Sequence, residues 1–527
     1  MPSNLIDWQS LDLKEQIAQM IVIRASGYLF DRQIRYPAWE AKNAQLKVWL
    51  EEFNLGGVIL LGGSSIELMA RSQQLQSWAE IPLFIAADIE EGIGQRFPGG
   101  TWFGPPMALG AIYERDRDLA RQYAFGVGEV TAKEALAVGI NWMLAPVVDV
   151  NNNPHNPVIN IRAFGDRPEV VADLTTAFIQ GSQSSPVLTT AKHFPGHGDT
   201  ATDSHLELPS LPHSIERLTT VELPPFVSAI AAGVDSIMTA HLSIPVWDEK
   251  PATLSYKIIT EKLRQQLGFT GLVVTDALIM GGITKYASPQ EVAVLAVEAG
   301  NDILLMPDNP EVAIASIYDA VQSGRISQQR IHESLARIWQ AKTRIDPEVS
   351  TAIDPDADLI VDSILQDSSC SSQSLSVDSK RDCRNAIVVD DVLNIPYLDI
   401  NSPAIAIPQK FNYQRQIVDS NTLDHILSDS RPTLLQVFIR GNPFRGNAGL
   451  TANTKQIYQR LLSSKVEAVA IYGSPYVLQW FKTIMPDDLP WVFSYGQMPQ
   501  AQAIALTTLL KIDSNFTRSQ AVGNFGF

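Results

Sequence analysis

Residues 186–193 read PVLTTAKH. The run is short and β-favouring, and it ends on a lysine and a histidine. Three similar runs follow it: VDSIMTAH (234–241), GLVVTDA (271–277) and DILLMP (302–307). Four precede it: MIVIRA (20–25), GGVILLG (56–62), PLFIAAD (82–88) and INWMLAPVV (140–148). Near-continuous apolar runs are the mark of parallel strands covered on both faces. Amphipathic stretches lie between them, including Glu114–Ala137, Pro168–Gln183, Ile215–Ala232 and Pro289–Ala299. Eight β–α repeats predict an α/β protein whose residues 1–345 form a (β/α)8 TIM-type barrel. The competing architecture, an open doubly wound sheet, needs a Gly-rich phosphate loop after its first strand. Here Ser26-Gly27-Tyr28 follows the first run instead.

Residues 346–384 are rich in Asp and Ser and read as a connecting segment with one helix near Asp358–Gln366. A second β/α pattern follows, with NAIVVDDVL, TLLQVFIRG, VEAVAIYG and PWVFSYG as its strands. TKQIYQRLLSS and AQAIALTTLLK are helical stretches between and after them. This predicts a smaller C-terminal α/β domain over 385–527, in which no chemistry-bearing motif stands out. The tail SQAVGNFGF reads as a loosely held end.

Composition narrows the function classes. Of 527 residues, 40 are Lys or Arg and 57 are Asp or Glu, a net charge of −17. Hydrophobic residues make up 45% and charged ones 18%, which excludes a disordered chain. The acidic balance argues against nucleic acid as a partner, because phosphate backbones call for Lys/Arg surfaces. It leaves room for a small anionic ligand held by a few local cations. Two cysteines, Cys370 and Cys383, read as free thiols and exclude a disulfide scaffold. The N-terminus has no basic start before an apolar core, and no apolar run is long enough to span a membrane. The expectation is a soluble, cytoplasmic protein with no membrane partner. The oligomeric state is left open.

In a (β/α)8 barrel the chemistry sits at the C-terminal ends of the strands. Asp88, Lys192, His193, His241 and Asp276 lie at or near the ends of their runs. A loop-capping role accounts for any one of them, but not readily for five on separate runs. Six of the eight histidines fall between 155 and 241, which raises a metal site. However, Pro195 and Gly196 between His193 and His197 rule out a metal-binding helix, and no run ends in two histidines. No metal and no cofactor are expected. The segment KHFPGHGDTATDSH (192–205) reads as a backbone-dominated loop at the barrel mouth. In an extended loop Asp203 and His205 point to the same side. The carboxylate then holds one ring nitrogen and orients the other for proton transfer. Asp276 closes the seventh run and is a candidate nucleophile.

These residues resemble a known family. The pattern KH-F-PGHG-x4-D-S-H marks the β-N-acetylglucosaminidase branch of glycoside hydrolase family 3, and residues 192–205 fit it at every fixed position. Further similarity lies in AADIEEGIGQRF (86–97), APVVDVNNNPHNPVINIRAFGD (145–166), SIMTAHL (236–242), VVTDALIM (273–280) and AGNDILLMP (299–307). The similarity covers about 20–345 and is much weaker in the C-terminal domain. It implies that Asp276 is the nucleophile, His205 the general acid/base and Asp203 its orienting partner. It places the sugar-holding positions on Asp88, Arg96, Arg162, Lys192 and His193, to which His241 is added from its strand-end place. The substrate implied is a saccharide bearing terminal β-linked N-acetylglucosamine, from muropeptides of cell-wall recycling, hydrolysed with retention through a covalent glycosyl-enzyme. Phosphorolysis of the same bond, a catalytically inactive sugar sensor and a β-glucosidase are the alternatives. The sensor would require loss of a catalytic residue, and none is lost. Two departures stand out: the usual EGGR reads Glu90-Glu91-Gly92-Ile93, and the residue after the nucleophile, often a second Asp, is Ala277.

Overall fold

Each of the eight apolar runs forms a parallel strand: β1 (Ile21–Ser26), β2 (Gly57–Leu61), β3 (Phe84–Ala87), β4 (Trp142–Met143), β5 (Thr190–Phe194), β6 (Ser236–Thr239), β7 (Leu272–Thr275) and β8 (Leu304–Leu305). The computed structural model describes residues 5–345, 356–378, 380–390, 395–419, 421–441, 449–463 and 465–512. The tail SQAVGNFGF, the Asp391–Leu393 end of one expected strand and residues 346–355 of the connecting segment lie outside the described residues. The chain divides into two compact units, Met1–Asp358 and Leu359–Phe527.

In the first unit the strands pair in the order β4-β3-β2-β1-β8 and β5-β6-β7. Two seams complete the ring. At one, Trp142 bridges Leu188, and Met143 N donates to Leu188 O at 2.7 Å. At the other, Val274 bridges Ile303, and Thr275 N donates to Ile303 O at 3.0 Å. The predicted (β/α)8 barrel is present. Inside it, the buried Trp142 ring reaches from β4 to β5 and β6, its Nε1 donating to Thr190 Oγ1 at 2.9 Å and Ser236 Oγ at 3.0 Å. Both hydroxyls satisfy a polar atom that burial would otherwise strand.

The N-terminal ends of the strands are tied by buried charge. Lys342 Nζ donates to Gln19 Oε1 at 2.8 Å, Gly56 O at 3.2 Å and Pro82 O at 2.6 Å, just before β1, β2 and β3. Burial with no carboxylate beside it pushes this ammonium down to about 7. Asp302, fully buried before β8, accepts from Ser334 Oγ at 2.8 Å and Val273 N at 3.0 Å and pairs with Arg264, Arg330 and Arg337. One face of the barrel is thus a structural plug, which leaves the C-terminal face for loops.

The helices Pro168–Ser182 and Pro289–Ala299 sit almost where the sequence places them, and Arg117–Ala137 begins one turn late, behind an Asp116 N-cap. The stretch 215–232 is corrected. It is not one helix but a short turn Ile215–Arg217, a widened π-type turn Leu218–Glu222 and a helix Pro224–Ala231. Pro224 and Pro225 offer no N–H and crowd the preceding carbonyls, so the turn before them opens.

The second unit is a smaller α/β domain. Its strands are β9 (Cys370–Ser371), β10 (Cys383–Val389), β11 (Tyr413–Asp419), β12 (Thr433–Ile439), β13 (Val466–Gly473) and β14 (Trp491–Ser494), in the order β11-β10-β12-β13-β14-β9. All pair in parallel except β9, which runs antiparallel to β14. Helix Ala357–Ser368 precedes them, and Leu375 and Val377 from the expected connecting segment pack on this core. Strand β11 went unread because YQRQIVD is a half-exposed edge strand without an apolar run.

Removing the Asp302 carboxylate as Asp302→Ala leaves three guanidinium groups without their shared counter-charge. The expected loss is about 3–5 kcal/mol in urea unfolding of the barrel. A loss below about 1 kcal/mol would contradict the plug.

Candidate active site

The chain leaves β5 through Phe194 into a loop held by backbone contacts. The Lys192–His193 and Phe194–Pro195 peptide bonds are cis. Asp149, fully buried beyond β4, gathers the start of the loop: its Oδ1 accepts from His193 N at 3.2 Å and His197 N at 2.7 Å. Its Oδ2 lies 2.8 Å from His193 Nδ1, which makes Nδ1 the protonated nitrogen of that ring. Asn156 Nδ2 donates to His197 O at 2.8 Å and Gly198 O at 2.9 Å. A Cβ on Gly198 would stand 1.8 Å from Val150 O, so no other residue allows this approach.

His197 ties the first half of the loop to the second. Its Nδ1 is 2.8 Å from Thr200 Oγ1 and its Nε2 is 3.0 Å from Ser204 Oγ. Burial lowers its pKa to about 4, so the ring is neutral near pH 7. Asp203, buried, accepts from both His205 N and His205 Nδ1 at 2.9 Å through one oxygen, Oδ1. This is the same-side pair expected of a carboxylate and an imidazole two residues apart. The His205 side chain is partly exposed, at 20%.

This loop is docked on the segment that follows β7. Gly281 N donates to His205 O at 3.0 Å and Gly282 N to Ser204 O at 3.0 Å. Lys285 Nζ donates to Leu206 O at 2.8 Å. A Cβ on Gly282 would stand 2.7 Å from Ser204 O and 2.9 Å from Glu207 O. The Asp203–His205 pair and Asp276 are therefore held by one stretch of backbone.

Asp276 follows β7, its Oδ1 accepting from Ala277 N at 2.7 Å. Burial would raise its pKa. The facing imidazoles of His193, His241 and His205 and the Ala277 N–H outweigh that and hold the carboxyl below its ordinary value. His241 is fully buried, with Nδ1 2.9 Å from Thr253 Oγ1 and Nε2 3.0 Å from Ala277 O. Both of its ring nitrogens meet protein groups, so its geometry fits holding Ala277, and through it Asp276, better than contacting a ligand.

A second cluster joins β3, β4 and β5. Lys192 Nζ is 2.7 Å from both Asp88 Oδ1 and Glu90 Oε1. Glu90 takes a two-pronged contact from Arg162, at 2.8 Å on each oxygen. Burial disfavours charge on Glu90, but Arg162 and Lys192 hold it well below the usual carboxylate range. Lys192 is shifted the other way: burial lowers its pKa, but Asp88 and Glu90 outweigh that and raise it. Asp88 keeps 30% of its side chain exposed against 2% for Glu90 and is the carboxylate within a ligand's reach. Arg96 is exposed and donates from Nε to Asp88 O at 3.2 Å.

The nine residues singled out from sequence thus fall into two groups at one face of one barrel. Glu90, Asp149 and His197 were passed over. Glu90 lies two residues from Asp88 on an extended segment and Asp149 directly ends the fourth run, so period and place were available signals. The departures have structural partners: Glu91 Oε2 accepts from Trp102 Nε1 at 3.0 Å, and Ile93 is buried in the core. Among the described residues no group of three or more His, Cys, Asp or Glu is arranged to hold a metal ion. The clustered histidines instead meet Asp149, Thr200, Ser204, Asp203, Asp199 and Thr253. Among the described residues no helix is long and apolar enough to cross a membrane.

Residues 12–341 match the Glycosyl hydrolase family 3 N terminal domain, and residues 376–511 match the Bacterial Glycosyl hydrolase family 3 C-terminal domain. The chain belongs to glycosyl hydrolase family 3. It is 36% identical over 341 residues to Beta-hexosaminidase A of Pseudoalteromonas piscicida, covering 59% of this chain and 56% of that protein. The chain therefore spans only about half the length of that relative. It is also 36% identical over 281 residues to Beta-hexosaminidase of Alkalilimnicola ehrlichii, covering 53% of this chain and 80% of that one. Among solved structures, a glycoside hydrolase family 3 beta-N-acetylglucosaminidase from Paenibacillus sp. str. FPU-7 superposes with a TM-score of 0.80 at 29% identity, over 95% of this chain and 97% of that one.

Two outcomes are expected. Gly282→Ala should lower the melting temperature and cut the turnover of the folded protein at least about tenfold, because its Cβ pushes on the Ser204 and Glu207 carbonyls and displaces the Asp203–His205 pair. Unchanged turnover would show that the docking is not needed. Stability should also fall as pH drops from 6.5 to about 4, since over that window the unfolded chain protonates His197 and the fold resists it. In urea titrations across pH, His197→Gln should flatten that slope, and an unaltered slope would assign it elsewhere.

Proposed function

We propose that the protein is a retaining β-N-acetylhexosaminidase that releases terminal β-linked N-acetylglucosamine. The observation that carries this reading is the docking of the Asp203–His205 loop on Gly281 and Gly282. It ties an imidazole–carboxylate pair to the strand end that bears an ionised aspartate. The kinship with beta-hexosaminidases supports the choice of sugar.

In the proposed mechanism the Asp276 carboxylate attacks the anomeric carbon. His205, with Nδ1–H held by Asp203, gives the proton on Nε2 to the leaving oxygen. The C–O bond to the aglycone breaks and an ester to Asp276 forms. His205, now neutral, takes a proton from water, which opens the ester and returns the carboxylate with the β configuration retained. Asp203 stabilises the imidazolium at both ends of the cycle. Asp276 must be charged to attack, and the imidazoles around it favour that state. Asp88 accepts from sugar hydroxyls, while Lys192, Arg162, Arg96 and His193 hold Asp88 or donate to the sugar. His241 positions Ala277 and Asp276.

The natural substrate we propose is a muropeptide disaccharide in cytoplasmic cell-wall recycling, an acidic aglycone being suited to the exposed Arg96 guanidinium. The barrel carries this chemistry, in the division proposed as 1–345 for the catalytic domain, 346–384 for the connection and 385–527 for the C-terminal domain.

Product analysis on a muropeptide disaccharide, with and without phosphate, tests the reading. Free N-acetylglucosamine in both conditions is expected. A sugar 1-phosphate formed only with phosphate would make the enzyme a phosphorylase, and absence of any N-acetylglucosamine product would reject the substrate. Asp276→Ala should abolish turnover with the fold intact. His205→Ala should lose far more rate on poor leaving groups than on activated aryl glycosides, and an equal loss on both would contradict the acid role.

A further inference from the structure

The loop after β1, residues 27–42, opens on the same C-terminal face as Asp88, Lys192 and Asp276, and it is unusually aromatic on its surface. Phe30, Tyr36 and Trp39 are all exposed, with Tyr36 at 43% and Trp39 at 42%. Isolated exposed apolar residues call for no explanation, but a contiguous, ordered group does.

The Tyr36 and Trp39 rings are nearly parallel, 20° apart with centroids 5.9 Å from each other. They are supported from below by one cation. The Arg24 guanidinium on β1 lies 4.8 Å from the Tyr36 centroid and 5.6 Å from that of Trp39. Arg24 is itself fixed by the buried Glu40, through Nε at 3.1 Å and a terminal nitrogen at 2.9 Å. A buried ion pair thus orders two aromatic rings whose other surfaces remain in water. Such an arrangement cuts the entropy lost when a flat ligand docks.

A series of hydrogen bonds links the loops after β1, β2 and β3. Leu29 N donates to Glu67 Oε1 at 3.1 Å, linking the loop after β1 to the helix after β2. Ser65 N, at the start of that helix, donates to Pro98 O at 3.0 Å in the loop after β3. That same loop returns Arg96 Nε to Asp88 O at 3.2 Å. The loop that bears the aromatic pair and the loop that bears Asp88 thus stand two strands apart on one face of the barrel.

We infer that Tyr36 and Trp39, held by Arg24 and Glu40, form a stacking platform for the sugar rings on the leaving-group side of the substrate. The inference rests on the proposed saccharide activity. The apolar C–H face of a pyranose ring covers an aromatic face as other flat apolar surfaces do, and the exposed rings lose contact with water in exchange. The platform favours substrates that carry sugars on the leaving-group side over a bare aryl glycoside.

Steady-state kinetics on p-nitrophenyl N-acetylglucosaminide and on chitin oligosaccharides of two to four sugars tests this. In the Tyr36→Ala/Trp39→Ala double variant, KM for the trimer and tetramer should rise about tenfold, the equivalent of about 1.4 kcal/mol, with kcat unchanged. The aryl glycoside, which carries no second sugar, should be turned over as by wild type. Tyr36→Phe and Trp39→Phe, which keep the rings, should retain most of the tetramer affinity. Equal KM changes on aryl and tetramer substrates, no change on either, or a change only in oligomeric mass would overturn the platform. If wild type cleaves neither substrate, the hydrolase reading fails by itself. Calorimetric binding of the tetramer to wild type and to the double variant then decides the platform: weaker binding by the variant supports it and equal binding rejects it.

Discussion

The site depends on keeping one carboxylate charged while most of it is withdrawn from water. Burial alone raises the pKa of Asp276, and the nucleophilic role proposed for it requires the charged form. Three imidazoles oppose that tendency: His193 from β5, His205 from the loop beyond it and His241 from β6. Each is oriented by a protein group of its own, Asp149, Asp203, and Thr253 with Ala277. The fold thereby places polarisable, titratable rings around the aspartate in place of fixed cations. The strong fixed cations, Lys192 and Arg162, are neutralised within the Asp88–Glu90 cluster. Net charge over the whole chain is therefore a poor guide to its ligand.

The barrel divides its charged groups by face. Before the strands, Lys342 and Asp302 satisfy every partner within the protein and add rigidity. After the strands, Asp88 and His205 keep part of their surface in water, and their partners orient them without using them up. This separation lets loops on one side vary while the other side closes the ring. The docking of Ser204 and His205 on Gly281 and Gly282 links two of those loops. It demands residues without side chains at two consecutive positions, because Cβ atoms there would collide with carbonyl oxygens.

Much of this was legible in the sequence. Parallel barrel strands are buried on both faces, so all eight announced themselves as apolar runs, and their polar ends marked the chemistry. The pair Asp203 and His205 was readable because two-residue spacing in an extended loop has a single consequence. What escaped depended on contacts distant in sequence. Glu90 and Asp149 owe their importance to Lys192, Arg162 and His193 on other strands. Residues 215–232 have a helical pattern that Pro224 and Pro225 interrupt. Strand β11 lies at a sheet edge, where one covered face and a polar sequence leave no apolar signature.

The most direct test of the account is to trap the intermediate. A fluorinated N-acetylglucosaminyl fluoride that forms the glycosyl-enzyme and resolves slowly should add one sugar mass to the protein. Peptide mapping by mass spectrometry should then place that sugar on Asp276. A label on any other residue, or turnover of the same reagent through an enzyme that never carries it, would contradict the assignment of Asp276 as the nucleophile.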